Sequence, residues 1–271
     1  MDTSFDYVRE FVRTEAGIVV EPGKEYLVES RLAPIARSEG FASIDAMVGK
    51  LKGTRSTELH RKVVDAMTTN ETSFYRDVAP FDLLRTTILP ALIQARKSTR
   101  RLSIWYAATS TGQEPYSVSM LIREHFPELD TWQIEQIGTD ISRPALERAR
   151  QGRYSQLEVN RGLPAKLLLK YFDKHGLEWQ LKDSIRGMLN TQELNLNGLW
   201  PRFPQFDIVF IRNVMIYFDV PAKQRILRRI YDLMPSDGYL FLGAAETTLN
   251  IDERFVRMPA NRAGCYLPVG T

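Results

Sequence analysis

The stretch "RLSIWYAATSTGQEPYS", residues 101–117, runs from an apolar, strand-like segment through a small-residue turn into a helical pattern. A strand that delivers such a turn to a helix start commonly places a ligand on the turn. This turn has a single glycine, Gly112, and no lysine. A phosphate loop needs a lysine with several glycines, and a dinucleotide site needs three spaced glycines so that backbone can approach pyrophosphate. Here a carboxylate, Glu114, stands at the mouth, where it would repel phosphate and suit a cationic or hydroxyl-bearing ligand.

Outward from this stretch, further apolar runs follow: "WQIEQIGTDI" (132–141), "MLNTQELNL" (188–196), "FDIVFIRN" (206–213) and "GYLFLGAAE" (238–246). Between them lie helical patterns such as "SRPALERARQG" (142–152) and "VPAKQRILRRIYDLM" (220–234). Strands alternating with helices predict right-handed crossovers and an α/β, doubly wound, mostly parallel sheet. "RFVRMPANRAGCYLP" (254–268) reads as a closing antiparallel hairpin. Roughly forty residues separate Gly152 from the third strand, too many for an ordinary connection. They hold a helix-like "LPAKLLLKYF" and short patterns "LEWQLK" and "SIRGML", and predict a small inserted antiparallel β subdomain at about 155–192.

Residues 1–69 read as helices only. Phe5, Val8, Phe11 and Val12 sit at helical spacing before Gly17; Tyr26, Leu27 and Leu32 follow the restart after Pro22 and Gly23. Ser43 and Ser56 stand as N-caps for two further helices. The predicted organisation is an N-terminal helical domain, 1–75, and an α/β domain, 76–271.

The 271 residues are 44% hydrophobic and 25% charged, with a formal charge of +3, too mild to argue for nucleic acid. No apolar run spans a bilayer, the first residues lack a signal core, and one cysteine, Cys265, fits a reducing cytoplasm.

In an open parallel sheet, ligands bind beyond the carboxyl ends of the strands. The strand tips carry Glu114, Asp140, Asn195 and Asn213. Asp140 is placed to accept hydrogen bonds from both ribose hydroxyls, while Ser142 and Pro144 suit the start of the next helix. A ribose ligand without phosphate, held beside a carboxylate, points to S-adenosylmethionine. Its ammonium needs an acceptor such as Glu114, and its carboxylate needs a cation, which "NETSFYR" (70–76) supplies as Arg76.

With "TTNETSFYRD", "STGQEPYS", "GTDIS", "FDIVFIRNVMIYFD" and "GYLFLGAAET" in this order, the chain resembles the chemotaxis-receptor glutamate methyltransferases, the CheR family, from about Phe5 to Tyr266. The resemblance implies a helical domain followed by an S-adenosylmethionine-dependent methyltransferase domain with a small inserted antiparallel subdomain. It implies methylation of glutamate side chains on chemoreceptor cytoplasmic helices, with S-adenosylhomocysteine as product and no metal. Asn70, Thr72 and Arg76 would line the cofactor site from the interdomain segment. Glu114 and Asp140 would hold the methionine and ribose parts, Asn195 and Leu196 the adenine side. Asn213, Val214 and Tyr217 would lie near the sulfonium, and Arg76 and Tyr217 would form the catalytic neighbourhood. A glutamate ionised at neutral pH needs no general base, so direct in-line displacement is expected.

Two departures bear on partners. Arg31 and Arg37 lie where a basic receptor-facing helix is usual, but Ala33 and Pro34 interrupt it, and residues 1–69 hold ten Lys+Arg against eleven Asp+Glu. Docking through this helix stands beside the plainer reading of a solvated face. The inserted subdomain is short, with one glycine where a peptide-binding loop would form, so tethering of a receptor C-terminal peptide is not expected. The chain ends at Thr271 without an added repeat domain, so control of access would come from a separate regulatory protein. The enzyme would be cytoplasmic and peripheral to the receptor-bearing membrane. Two other classes stand as alternatives: a methyltransferase of the same fold with another acceptor, and a cofactor-binding regulator without turnover. Against nucleic-acid amines, "RNVMIYFD" lacks the Asn/Asp-Pro-Pro-aromatic tip.

Overall fold

A computed structural model describes residues 3–53, 57–259 and 262–270. Four helices come first: α1 (Ser4–Ala16), α2 (Glu25–Ser38), α3 (Ile44–Lys52) and α4 (Glu58–Met67). Thr3 and Asp6 form a reciprocal capping box on α1, which ends at Gly17 with φ 75°. Ser43 caps α3 as its position predicts, accepting from the Ala46 N–H. Ser56 lies outside the described residues; the residue capping α4 is Thr57. Val8, Val12, Leu32, Met47 and Val63 form the fully buried centre of this bundle. Tyr26, predicted to face the core, is 67% exposed, and Val28 takes the buried position instead. Leu32, on the same apolar stripe, is fully buried as its position suggests, so the departure is confined to the start of the helix.

A helical run, α5 (Ala79–Leu83) and α6 (Leu89–Ala95) joined by a π turn at Leu84–Ile88, leads into the sheet. Strand β1 is Arg101–Tyr106, followed by helix α7 (Gln113–His125), β2 (Gln133–Asp140) and α8 (Arg143–Gln151). The insertion then supplies β3 (Arg153–Ser155), α9 (Gln156–Asn160), α10 (Ala165–Tyr171), β4 (Phe172–His175), β5 (Glu178–Leu181) and α11 (Asp183–Arg186). The chain closes with β6 (Leu189–Glu193), β7 (Ile208–Ile211), α12 (Val220–Asp232), β8 (Tyr239–Leu242), β9 (Phe255–Arg257) and β10 (Cys265–Pro268).

The main sheet runs β6-β2-β1-β7-β8-β10-β9. Its first five strands are parallel, and the terminal hairpin pairs antiparallel onto β8 through β10. The order reverses between β1 and β7, which opens a crevice at their carboxyl ends. Side-chain alternation builds a core on each face. Ile104, Tyr106, Ile208 and Phe210 pack with Val118 and Ile122 of α7. Trp105, Val209 and Ile211 pack with Ile226 and Ile230 of α12. Each such fully buried aliphatic side chain stabilises the fold by about 1.5–3 kcal/mol. Trp105 is wholly buried, with Phe206 stacked at 5.4 Å and its indole N–H donating to Thr139 Oγ1 at 3.0 Å.

The insertion forms the expected small antiparallel sheet, β3-β5-β4. Its limits differ from 155–192: it begins at Arg153, and Leu189–Glu193 belongs to the main sheet, paired with β2. "SIRGML" is no strand of this subdomain; it opens as the turn of helix α11, whose Lys182 and Asp183 carbonyls accept from Arg186 and Gly187. Among the described residues no helix is long and apolar enough to cross a membrane.

Candidate active site

The crevice at the carboxyl ends of β1, β2, β6 and β7 holds about 920 Å³ of atom-free space, its open mouth included. Asn70, Thr72, Arg76, Glu114, Asp140, Asn195, Leu196, Asn213, Val214 and Tyr217 all line it. Every residue singled out in the sequence is thus brought to one place by five separate segments.

Asp140 ends β2 with both carboxylate oxygens engaged by backbone: Oδ2 accepts from Ser110 N–H at 2.8 Å and Oδ1 from Ser142 N–H at 2.9 Å. Burial pushes its pKa up, opposed by those N–H groups. The Ile141 N–H also bonds this carboxylate, which keeps acceptor capacity for a ligand hydroxyl. Ser142, not Asp140, caps α8, accepting from Ala145 N–H. Thr109 Oγ1, also on the cleft wall, is buried without a partner among the described residues.

Glu114, in the first turn of α7, pairs with Arg212, a side chain only 2% exposed. Arg212 also donates to the Arg76 carbonyl at 3.1 Å and to Asp77 Oδ2 at 2.9 Å. It was not among the residues indicated by sequence; "FIRN" reads as the end of a strand, and nothing in that pattern marks its arginine as buried. Arg76 itself donates to the Glu71 carbonyl at 3.1 Å, which folds the interdomain segment back on itself.

Asn70 bridges the segment to both strand tips: its amide donates to Ser142 Oγ at 3.3 Å, and its carbonyl accepts from Ser110 Oγ at 2.8 Å. Asn195 spends its side chain on structure. Its Nδ2 donates to the Glu15 carbonyl at 2.5 Å, and its Oδ1 accepts from Asn197 N–H at 2.9 Å. The amide of Asn197 donates to the Thr14 carbonyl at 3.2 Å, so two asparagines satisfy the end of α1. This docking brings Ala16 and Ile18 into the cleft wall. Neither was legible as a site residue, being an ordinary apolar position. Trp200 donates its indole N–H to the carbonyl of Leu196 at 3.1 Å.

The Asn213–Tyr217 turn is held by Glu246, a buried side chain absent from the sequence-based site. Its Oε2 accepts from the N–H groups of Asn213 at 2.8 Å and Gly243 at 2.6 Å, and Oε1 from Ile216 N–H at 3.2 Å. Asn213 has φ 58°, a left-handed conformation that asparagine tolerates better than most residues.

The cleft offers two carboxylates, an arginine and apolar side chains, a set compatible with S-adenosylmethionine. Comparison with known proteins agrees. Residues 3–68 match the family model described as CheR methyltransferase, all-alpha domain, and residues 70–263 that of CheR methyltransferase, SAM binding domain. Chemotaxis protein methyltransferase 1 of Pseudomonas aeruginosa is 40% identical over 259 residues, covering 94% of this chain and 93% of the relative. Chemotaxis protein methyltransferase Cher2 of Pseudomonas putida is 38% identical over 256 residues, covering 93% and 92%. The chemotaxis protein methyltransferase of Vibrio parahaemolyticus is 34% identical over 274 residues, covering 98% and 96%. With its helical bundle, its mixed sheet and its cleft at the switch point, this chain belongs to the CheR methyltransferase family.

Proposed function

We propose that the protein transfers a methyl group from S-adenosylmethionine to glutamate side chains on chemoreceptor cytoplasmic helices, leaving glutamyl methyl esters and S-adenosylhomocysteine. The observation that carries this reading is the convergence of Arg76, Glu114, Asp140, Asn213 and Tyr217 on one cleft. When bound, the cofactor supplies an electrophilic methyl group whose C–S bonding pair leaves with the sulfur.

The residues of the chain then have defined tasks. Glu114 accepts from the ammonium and Asp140 from the ribose hydroxyls. Asn70 and Thr72 close one side, and Leu196 gives the adenine an apolar wall. The Asn213–Tyr217 turn borders the methyl group. Arg76 orients carboxylate at the mouth and Tyr217 faces it. A glutamate carboxylate is ionised at neutral pH, with an ordinary pKa of about 4.3, so no residue need remove a proton. Orientation and exclusion of water supply the acceleration.

The test incubates the protein with methyl-labelled S-adenosylmethionine and chemoreceptor-containing membranes, then treats the product with mild base. Label released as methanol, and lost by about 100-fold or more in Arg76→Ala, is the expected result. Cofactor binding without base-labile label on receptors would replace this reading with another acceptor or a regulator without turnover.

A further inference from the structure

Arg76 sits between two residues in the left-handed region, Tyr75 at φ 48° and Asp77 at φ 57°. Such backbone persists only where its surroundings over-determine it. On one side the Tyr75 N–H donates to Ser117 Oγ at 3.0 Å, and its ring packs on Phe81 at 5.0 Å. On the other, Arg212 grips the Arg76 carbonyl and the Asp77 carboxylate with one nitrogen while its second nitrogen holds Glu114. One buried cation thus joins the cleft carboxylate to the segment that presents Arg76. Asp77 is not part of the cleft wall.

We propose that Arg212 is a positioning residue, and that the chain Asp77–Arg212–Glu114 couples occupancy of the amino-acid end of the cofactor site to the ordering of the Arg76 segment. The proposal rests on the assignment of Glu114 to the cofactor ammonium. Two cations then share Glu114, and each takes part of its charge from the other. An ammonium at Glu114 leaves Arg212 to lean on Asp77 and the Arg76 carbonyl, which tightens the segment. Linkage is reciprocal. Loss of the Asp77 charge leaves Arg212 to neutralise Glu114 more fully, which weakens the hold on the ammonium.

Asp77→Asn is the decisive variant, because asparagine accepts positive φ and keeps the acceptor oxygen while removing the charge. Calorimetry with S-adenosylhomocysteine should show affinity reduced about 3–10-fold. Binding of 5′-methylthioadenosine, which lacks the amino-acid end, should not change. Amide exchange across residues 71–78 should show protection by S-adenosylhomocysteine in the wild type and little in Asp77→Asn. Unchanged affinity and protection in Asp77→Asn, with Glu114→Gln still weakening S-adenosylhomocysteine, overturns the relay alone. Equal weakening of both ligands also overturns it, as a general structural effect. Failure of the wild type to bind, or a silent Glu114→Gln, overturns the cofactor assignment and the relay with it.

Discussion

The backbone N–H of Val19 donates to the carbonyl of Tyr217 at 2.8 Å, so the chain leaving the first helix is bonded directly to the turn that borders the proposed methyl-transfer point. The two domains are therefore joined at the cleft wall, not merely by a linker. Gly17 makes the approach possible. At φ 75°, a Cβ there would lie 2.9 Å from the Phe218 ring and 3.3 Å from Asn197 Cβ.

Gly17→Ala should lower stability by about 1–2 kcal/mol, from left-handed strain and contact with Phe218. It should also weaken S-adenosylhomocysteine binding several-fold by moving Ala16 and Ile18. Thermal unfolding and calorimetry read the two effects; wild-type affinity in a destabilised variant would separate the helix end from the site.

Glu246→Ala should cost about 2–4 kcal/mol, since three N–H groups lose a charged acceptor. It should lower kcat for methyl transfer more than it changes cofactor affinity, because Asn213 loses the bond that holds its left-handed backbone. Glu246→Gln should recover part of both. A variant of reduced stability with unchanged kcat would show that the turn keeps its shape without Glu246.

Asp140 gives the pH dependence. Its native pKa is raised above the ordinary 3.8 by burial, so the folded protein takes up its proton before the unfolded chain does as pH falls. This group therefore adds stability on acidification and withdraws it as pH rises from 3.8 through the native value. Ribose hydroxyls need the ionised acceptor, so S-adenosylhomocysteine affinity should fall on the acid side above the ordinary aspartate range. Asp140→Asn should bind weakly with no such limb. Calorimetric titrations across the acid range decide it; a limb confined to the ordinary range would remove Asp140 as its source.

Arg31 and Arg37 separate in the structure. Arg31 donates to the carbonyls of Met67 at 2.7 Å and Thr68 at 2.9 Å, closing the end of α4, whereas Arg37 is exposed. Arg31→Glu should destabilise the helical domain by about 1–2 kcal/mol. Arg37→Glu should leave stability unchanged and raise the apparent KM for receptor. An unchanged KM would retire docking through this helix.

The β4–β5 connection is two residues, Gly176 and Leu177, with Gly176 at φ 60°. A receptor C-terminal peptide should therefore fail to bind with micromolar affinity in a fluorescence titration. Micromolar binding would establish tethering despite this short turn.

The parallel sheet was legible because its strands are continuous apolar runs, as in Ile104, Trp105 and Tyr106, and end in polar tips. Those tips became the cleft, so Glu114, Asp140 and Asn213 could be found from position alone. Arg212 and Glu246 could not, since their roles come from bonds to segments 135 and 33 residues away. Asn195 lines the cleft, but its side chain is committed to Glu15, a contact that only domain docking creates. The insertion was visible from its length; its edge was not, because "SIRGML" carries an apolar spacing compatible with strand or turn. Tyr26 misled for a related reason: an aromatic at helical spacing suggests burial, yet neighbouring Val28 fills the space.

Trp200 carries a practical consequence. Its indole is one hydrogen bond from the Leu196 carbonyl on the cleft wall, edge-on to the buried Trp105 at 5.2 Å, with the Arg229 guanidinium 5.3 Å from its ring centroid. Emission from such a ring responds to small changes in its electrostatic surroundings, so the protein holds an unlabelled optical reporter of the Leu196 side of the cleft. Ligand entry can be timed in a stopped-flow instrument on the native chain, with Trp200→Phe showing which part of the signal comes from Trp200 rather than from Trp105, Trp132 and Trp179.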